Sequence, residues 1–374
     1  MKIALCLYNY FPYGGLQRNF LAIAEELLRR GHDIMVYTGE WEGDCPANLS
    51  VTLLALSGIT NHGRNKHFYK LLQQALAKQP VDIVVGFNKM PGLDIYYCAD
   101  TCFVAKAYED KSWLYRLMPR SRWSINFERA VFAKESKTEI LLLSADQGEA
   151  FNQYYSTPFS RMHLMPPGIS RSRIRTAQSD GKAARIRQEL AIAADEKVIA
   201  FVGSNYKGKG LDRLLKAVAV LPSQQPEVKV LVIGRDRRSK KYENLAMKLG
   251  IRDRVLFVGQ RDDVPELLFT ANCLVHPAYL ENTGNVLLEA AVAGLSVLCS
   301  GICGYAFYID NHQLGVVMPE PFDQALMNRE LANLLNSNID WRRRCANFAQ
   351  SADIYSRPLR IAEKIEAIGA DRCQ

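Results

Sequence analysis

The chain has 374 residues, of which 48% are hydrophobic and 23% are charged, and its formal net charge is +8. This length fits two α/β domains better than one core, and the composition excludes a disordered or fibrous protein. The positive charge suits an anionic substrate or surface, but Lys and Arg are spread along the chain without a basic arm, which argues against nucleic-acid binding.

Short apolar runs alternate with amphipathic stretches through the first half of the chain. KIALCLY, DIMVYTG, VTLLALS, DIVVGF and TEILLLS predict strands, and LQRNFLAIAEELLRR and HFYKLLQQALAKQ predict helices. This alternation indicates parallel strands joined by helical crossovers. The first run is shorter than the ~7 to 15 apolar residues of a signal peptide, and no window approaches the ~20 of a membrane helix, so we expect a cytoplasmic protein.

A proline-rich break divides the chain. Pro166-Pro167-Gly168 cannot continue a helix or an inner strand. The alternation then restarts, with strands at KVIAFVG, VKVLVIG, RVLFVG, NCLVHPA, SVLCSG and GVVMP. We therefore expect an α/β protein with two Rossmann-like, doubly wound lobes facing a central cleft, one at residues 1–167 and one at 168–352. A C-terminal helix at about 353–374 could pack back on the first lobe.

The nine cysteines predict neither a disulfide scaffold nor a metal site. Most lie in apolar runs, where a reduced thiol packs as a small hydrophobe. Cys98-x3-Cys102 and Cys299-x3-Cys303 lack the two-residue gap and the His partners of a zinc site. The chain also has no D-x-D pair for a divalent cation, so we expect no metal.

The segment FVGSNYKGKGLDRLLKA resembles a phosphate-binding loop in part. Gly203-x4-Gly208-Lys209 follows a strand and opens a helix, but Gly210 stands where a P-loop has Ser or Thr, so an NTPase site is disfavoured. Lys207 and Lys209 would still place positive charge at a helix N-terminus that favours anions. The alternative is an ordinary strand-to-helix turn with two solvated lysines.

The first lobe has a glycine pair in the corresponding position. Gly14-Gly15 lies between the first strand and the first helix, where a ligand could approach the backbone closely. Because there is no G-x-G-x-x-G, dinucleotide binding is not supported. A glycine pair alone is weak evidence, since turns commonly use it.

The stretch HPAYLENTGNVLLEAAVAG carries the strongest signal. Its strand ends at Pro277 and its helix stops at Gly294, which places Thr283-Gly284 at the helix start, where free N–H groups can hold a diphosphate. Glu281 lies before the helix and Glu289 inside it. A carboxylate can accept both hydroxyls of a ribose, and one near a reacting sugar can stabilise positive charge at the anomeric carbon.

These motifs together resemble a known family. ENTGNVLLE matches the E-x7-E signature of retaining glycosyltransferases with the GT-B fold, and the lysine-bearing turn and the glycine pair match its other two landmarks. The chain is most similar to the bacterial lipopolysaccharide core glucosyltransferase I family through LCLYNYFPYGGLQRNF, YTGEWEGDCP, GFNKMPGLD, MPPGI, HPAYLE and CGYAFYI. The resemblance covers nearly the whole chain.

The resemblance implies roles for individual residues. Catalytic roles fall to Glu281 at the sugar, Lys209 at the diphosphate and Asp100 from the first lobe. The implied donor-binding residues are Gly15, Lys207, Lys209, Arg261 near the base, Glu281, Asn282, Thr283, Gly284, and Glu289 at the ribose. Two departures from the family affect this expectation: Gly208 stands where relatives often have a basic residue, and Asn19 replaces an acid near the donor.

The implied reaction is transfer of glucose from UDP-glucose to a heptose of the lipopolysaccharide inner core, with retention of configuration. It requires no cofactor or metal, because lysines and a helix start would stabilise the departing UDP. A related transferase with UDP-galactose, UDP-N-acetylglucosamine or GDP-mannose is the nearest alternative. A P-loop NTPase and a non-catalytic nucleotide-binding protein are further alternatives.

Residues 106–129 mix aromatic and basic side chains, with six Lys or Arg, three acids and two Trp. This mixture suits a membrane interface with anionic lipid, and the expected contacts are Lys106, Lys111, Trp113, Arg116, Arg120, Arg122 and Trp123. The alternative is a solvated loop and helix with some core aromatics. The resemblance implies a cytoplasmic enzyme that is peripheral on the inner face of the inner membrane.

Overall fold

The computed structural model describes residues 1–12, 14–109, 112–221 and 227–372. The chain forms two compact units, one of residues Met1–Gly168 with Ser356–Gln374 and one of residues Ile169–Tyr355. We call them unit 1 and unit 2. None of the helices in the described ranges is both long enough and apolar enough to span a bilayer.

Unit 1 is built on a parallel sheet. Its strands are β1 (Lys2–Cys6), β3 (Asp33–Thr38), β5 (Ser50–Leu53), β6 (Ile83–Gly86), β7 (Ile95–Cys98), β8 (Glu139–Leu142) and β9 (Met162–Leu164), in the order β5-β3-β1-β6-β7-β8-β9. Two short strands, β2 (Asn9–Tyr10) and β4 (Glu40–Trp41), pair separately. The helices that precede the unit boundary are α1 (Gly15–Arg29), α2 (Asn61–Lys78), α3 (Phe103–Glu109), α4 (Trp113–Leu117), α5 (Pro119–Phe132) and α6 (Ala145–Tyr155).

Unit 2 has a second parallel sheet, with strands β10 (Lys197–Val202), β11 (Val228–Ile233), β12 (Val255–Gly259), β13 (Cys273–His276), β14 (Ser296–Ser300) and β15 (Gly315–Met318). Their order is β12-β11-β10-β13-β14-β15, the doubly wound arrangement. Its helices are α7 (Ser179–Glu189), α8 (Tyr206–Lys209), α9 (Leu211–Ala219), α10 (Ser239–Lys248), α11 (Val264–Phe269), α12 (Asn285–Val292), α13 (Ala306–Asn311), α14 (Gln324–Leu335) and α15 (Trp341–Ser351).

Helices cover both faces of each sheet because neighbouring side chains on a strand point to opposite sides. Along β1, Ile3 and Leu5 pack in one apolar cluster, while Ala4 and Cys6 pack in another. In β10, Val198 and Ala200 pack on one side, and Ile199 and Phe201 on the other. Continuous apolar runs such as KIALC and KVIAFV are therefore what a doubly covered parallel sheet requires, and the predicted α/β fold with two Rossmann-like domains is confirmed.

The last helix, α16 (Arg357–Arg372), belongs to unit 1 although it follows unit 2 in the chain. Its apolar face, with Ile361, Ile365 and Ile368, packs in the cluster that contains Ile3 and Leu5 of β1. The guanidinium of Arg357 is fully buried and donates to the carbonyl of Pro166 at 2.8 Å. This contact ties the start of the helix to the proline-rich segment at the end of the first half.

Candidate active site

The strand order of unit 2 reverses between β10 and β13, and this position is the usual ligand site of a doubly wound sheet. The segment after β10 carries Lys209, and the segment after β13 carries Glu281. Parallel strands end at the same edge of a sheet, so the two segments lie side by side. The two strongest sequence motifs therefore meet at one point of the fold.

Glu281 and Lys209 form an ion pair between Oε2 and Nζ. The same carboxylate oxygen lies 2.8 Å from Nε2 of His276, and the other accepts the backbone N–H of Asn282 at 3.0 Å. Burial alone would raise the pKa of Glu281, but the hydrogen bond from His276 and the charge of Lys209 lower it to about 2. The carboxylate is therefore ionised at any physiological pH.

The loop between β13 and α12 is held against α8 by its backbone. Tyr279 and Leu280 both donate their N–H groups to the carbonyl of Gly208, at 2.8 and 3.1 Å. Arg213 donates to the carbonyls of Pro277 and Ala278, at 3.1 and 3.0 Å. Its guanidinium lies between two aromatic rings, 3.5 Å from that of Tyr279 and 3.6 Å from that of Phe322. These contacts bring Lys209 within reach of Glu281.

The lysine-bearing segment differs from the predicted glycine-rich turn. Lys207 and Lys209 lie in the one-turn helix α8, and Gly210, at φ +77°, separates it from α9. The local cause is Asn205, whose side-chain oxygen accepts the N–H of Gly208 at 3.1 Å and so caps this turn. Both lysines therefore precede the N-cap of α9 instead of occupying its first turn, and Lys207 is exposed.

The helix that contains the second carboxylate begins at Asn285, with Gly284 as its N-cap at φ +77°. The two preceding residues are fixed by backbone bonds, since the carbonyl of Asn282 accepts from Gly304 and that of Thr283 from Tyr305. The CGYAFYI motif thus supports the start of α12. Glu289 lies on the second turn of this helix and is partly buried.

Arg261 follows β12 and forms ion pairs within unit 2. Its guanidinium donates to Asp263, at 2.8 and 2.6 Å, and to Oε1 of Glu189 at 2.8 Å. The hydrogen bonds to the two carboxylates raise the pKa of Arg261. The residue predicted to lie near the base is therefore already held by two acids.

The predicted residues of unit 1 follow two of its strands. Gly15 is the first residue of α1, and a Cβ added there would meet no atom of the described residues within 4 Å. Asp100 is exposed, two residues after the end of β7. Nearby, Lys89 forms an ion pair with the fully buried Glu128, a pair that sequence reasoning did not find.

The predicted membrane segment divides into exposed and packed side chains. Lys106, Trp113, Arg120 and Arg122 are exposed, and Lys111 lies outside the described residues. Two of the expected contacts, Arg116 and Trp123, are partly buried. Arg116 donates to the carbonyls of Ala107 and Tyr108 and stacks on the Tyr108 ring, and Trp123 packs 4.4 Å from Phe127. The contacts of Arg116 join α4 to α3, whereas Trp123 and Phe127 lie one turn apart on α5.

Sequence reasoning also missed His276. The signal was its place as the final residue of an apolar strand, five positions before Glu281. Among the described residues there is no group of three His, Cys, Asp or Glu side chains that could hold a metal ion.

Comparison with known proteins matches both halves of the chain to glycosyltransferase family models. Residues 13–173 match Glycosyltransferase Family 4, and residues 182–352 match Glycosyl transferases group 1. The lipopolysaccharide glucosyltransferase WaaG of Escherichia coli (strain K12) is 42% identical over 369 residues, which are 98% of either chain.

Solved structures agree with this match. A crystal structure of WaaG, a glycosyltransferase involved in lipopolysaccharide biosynthesis, superposes with a TM-score of 0.91 at 41% identity and covers 97% of this chain and 99% of that one. Anabaena Alr3699/HepE in complex with UDP-glucose has a TM-score of 0.69 at 19% identity over 100% of this chain and 98% of that one, which shows the fold alone. The chain is therefore a hexosyltransferase that belongs to the bacterial lipopolysaccharide core glucosyltransferase I family and has the GT-B fold.

Proposed function

We propose that this enzyme transfers glucose from UDP-glucose to a heptose of the lipopolysaccharide inner core, with retention of configuration. The observation that carries the proposal is the contact between Lys209 and Glu281 at the switch point of unit 2, beside the start of α12. Full-length similarity to a lipopolysaccharide glucosyltransferase supports the class of sugar and acceptor.

The leaving group of this reaction is a diphosphate, which needs positive charge. The ammonium of Lys209 and the free N–H groups at the first turn of α12, behind Thr283 and Gly284, would supply it. Lys207, which is exposed and lies with Lys209 in helix α8, adds a second cation. Glu289 would accept the ribose hydroxyls and Arg261 would lie near the base. The family resemblance assigns the acceptor side to residues 1–167 and roles there to Gly15 and Asp100.

Glu281 suits a stabilising role better than a nucleophilic one. When Lys209 binds the diphosphate, the carboxylate of Glu281 still accepts from Nε2 of His276 and from the N–H of Asn282, and such hydrogen bonds make a carboxylate a weaker base and nucleophile. In the proposed reaction the bond from the anomeric carbon to the diphosphate breaks, and a bond to the acceptor hydroxyl oxygen forms on the same face. The hydroxyl proton passes to the departing diphosphate, while Glu281 stabilises the positive charge on the sugar.

Incubation of the protein with a panel of nucleotide sugars and heptose-terminated truncated lipopolysaccharide tests the donor and the acceptor together. We expect transfer from UDP-glucose, an axial linkage by NMR, and equal rates with and without EDTA. Transfer from UDP-galactose, UDP-N-acetylglucosamine or GDP-mannose in place of UDP-glucose would assign another donor, and an inverted linkage would contradict retention.

The role of Glu281 has its own test. Glu281→Gln should lower kcat at least ~100-fold, because it removes the negative charge that stabilises the transition state. Glu135→Gln, at an exposed acid in unit 1, is the matched control and should leave kcat unchanged. Near-full turnover by the Glu281→Gln enzyme would remove this residue from the mechanism.

We also propose that helices α3 to α5 bind the inner face of the inner membrane. Four apolar side chains on or next to α4 are exposed: Trp113 (65%), Leu114 (56%), Leu117 (60%) and Met118 (53%). The cations Lys106, Arg120 and Arg122 are exposed on the flanking helices. Apolar groups with flanking cations are the combination that binds an anionic lipid surface.

Co-sedimentation with vesicles that contain phosphatidylglycerol tests this surface. Arg120→Glu/Arg122→Glu and Leu114→Ser/Leu117→Ser should each weaken binding about tenfold or more, since each removes one of the two contributions. The control Arg185→Glu/Arg343→Glu makes the same change in net charge on exposed residues of unit 2. If the control weakens binding as much as the α5 variant, bulk charge is responsible and the surface is wrongly placed.

A further inference from the structure

The last residue of β13 is a histidine whose side chain is completely enclosed. His276 is 0% exposed, and the three strand residues before it are buried and apolar. Its Nε2 lies 2.8 Å from Oε2 of Glu281. Burial of an imidazole costs free energy unless its nitrogens are paired, so a histidine held here for one polar contact indicates that the contact matters.

The surroundings of the two ring nitrogens indicate which of them donates to Glu281. Nδ1 is buried and has no hydrogen-bond partner in the part of the chain that the structure describes. A proton on Nδ1 would leave a buried N–H unsatisfied, whereas a proton on Nε2 is donated to the carboxylate. Nε2 is therefore the donor nitrogen of the ring, which is fixed by the strand end and aimed at Glu281.

The second donor to this oxygen is of a different kind. Lys209 reaches Glu281 through a flexible side chain, and the proposed function needs the same ammonium at the diphosphate. When Lys209 turns to the leaving group, Glu281 keeps only His276 and the N–H of Asn282 among the three donors described above. Of these two, only His276 contacts the oxygen that Lys209 leaves.

We propose that His276 is a positioning residue that holds the carboxylate of Glu281 in one orientation while Lys209 binds the leaving diphosphate. The inference rests on the proposed function, because it assigns Glu281 and Lys209 their tasks there. Because its side chain is fully enclosed by the protein, His276 acts on turnover through Glu281 alone.

Two substitutions separate this hydrogen bond from the shape of the ring. His276→Phe keeps a planar ring but removes the donor, and kcat should fall about 10- to 100-fold, the range expected for a bond to a charged group. The KM for the donor and the Kd for UDP should change less than about threefold. His276→Gln can place an amide N–H near the position of Nε2 and should recover kcat to within about fivefold of the wild type. A Phe variant with wild-type kcat, or a Gln variant as slow as the Phe variant, overturns the proposal.

A double-mutant cycle tests whether His276 acts through Glu281. In a Glu281→Gln background, His276→Phe should lower kcat less than about twofold, because the charged acceptor is already gone. A full additional loss would show that the ring acts elsewhere and would overturn the proposal.

A spectroscopic measurement on the wild-type protein depends on neither turnover nor the donor. The protein has six His. In the NMR spectrum of protein labelled with ¹⁵N-histidine, the signal that His276→Gln removes should be that of the tautomer with the proton on Nε2. The tautomer with the proton on Nδ1 overturns the inference. If the protein transferred no glucose from UDP-glucose, the proposed function would be wrong, but the tautomer measured for His276 would still hold.

Discussion

At the scale of single residues, Gly210 is the point where the backbone after β10 meets the backbone after β13. Its φ of +77° lies in the left-handed region, and a Cβ there would fall 2.0 Å from the carbonyl oxygen of Pro277. Because that atom belongs to the backbone, it cannot move aside as a side chain would. Because Gly210 has no side chain, the two backbones can approach closely, and this approach places Lys209 next to Glu281.

Gly210→Ala should destabilise the protein by about 3 kcal/mol or more and reduce transfer activity, since the clash adds to left-handed strain of about 1–2 kcal/mol. Gly250→Ala is the matched control, because Gly250 has φ +70° but a Cβ there would meet no described atom within 4 Å. The Gly250→Ala variant should be destabilised only by the left-handed strain and should keep full activity. Urea unfolding and a transfer assay measure both, and equal losses in the two variants would contradict the steric explanation.

Gly208 offers a gain-of-function test of the charge next to Lys209. Gly208→Arg should lower the Kd for UDP about three- to tenfold, because it adds a guanidinium at a position where the family often has a basic residue. The new Cβ would lie 2.5 Å from Nδ2 of Asn205, so the side chain that caps α8 must shift in any variant at this position. Gly208→Gln adds a side chain without charge and should leave the Kd unchanged. Equal Kd values for the two variants in calorimetry would mean that Lys207 already supplies the second charge.

Some residues of the site could be read from the sequence and others could not. Glu281, Lys209 and Gly284 stand in patterns whose chemistry is local: an acid before a helix start, a cation in a glycine-rich segment and a glycine at an N-cap. His276 could not be assigned, because a histidine at a strand end looks the same whether its ring faces solvent or a buried carboxylate. The contact of Gly210 with Pro277 depends on residues far apart in the chain, so no local pattern contains it.

At the scale of helices and strands, apolar runs predicted all six strands that the structure describes in unit 2, because a doubly covered strand has no polar face to interrupt it. In unit 1 the strands β2, β4, β7 and β9 were not predicted, because each has only two to four residues. Helix α8 was missed for another reason. It is a single capped turn, too short for a helical repeat to show.

The docking of α16 includes a polar contact whose strength depends on pH. Glu366 accepts from Arg30 at 2.8 and 2.5 Å and from His32 at 2.7 Å. The hydrogen bond from Arg30 is the main reason that the pKa of Glu366 falls from its ordinary 4.5 to about 2. A folded-state pKa below the unfolded one stabilises the protein above about pH 4.5, and this contribution is lost as pH falls toward 2.

Glu366→Gln should therefore lower the free energy of unfolding at pH 7 by about 1 kcal/mol, a modest value because water partly screens the pair. The difference from the wild type should shrink as the pH falls from 4.5 toward 2. Glu363→Gln is the control on the same helix, since its partner Arg360 is largely exposed, and it should have almost no effect. Urea denaturation at several pH values measures both. A deficit for Glu366→Gln that stays constant down to pH 2.5 would contradict the assigned titration.

At the scale of the whole molecule, the chain passes twice between its units, once at Gly168–Ile169 and again at Tyr355–Ser356. The last helix therefore completes the core of the unit in which the chain began. Each unit has its own apolar clusters, so a cavity in one core should act first on that unit. UDP, which the proposed function assigns to unit 2, should stabilise that unit by mass action.

Ile365→Ala, in the part of α16 that packs on β1, should destabilise unit 1 by about 2–5 kcal/mol and leave the Kd for UDP unchanged. Leu331→Ala is the matched variant in unit 2, because Leu331 is equally buried in α14. Differential scanning calorimetry with and without UDP distinguishes them. UDP should raise the temperature of the unfolding transition that Leu331→Ala lowers. It should leave unchanged the temperature of the transition that Ile365→Ala lowers. If both variants lower the same UDP-sensitive transition, the two units unfold together, and the C-terminal helix then stabilises the nucleotide site as well as unit 1.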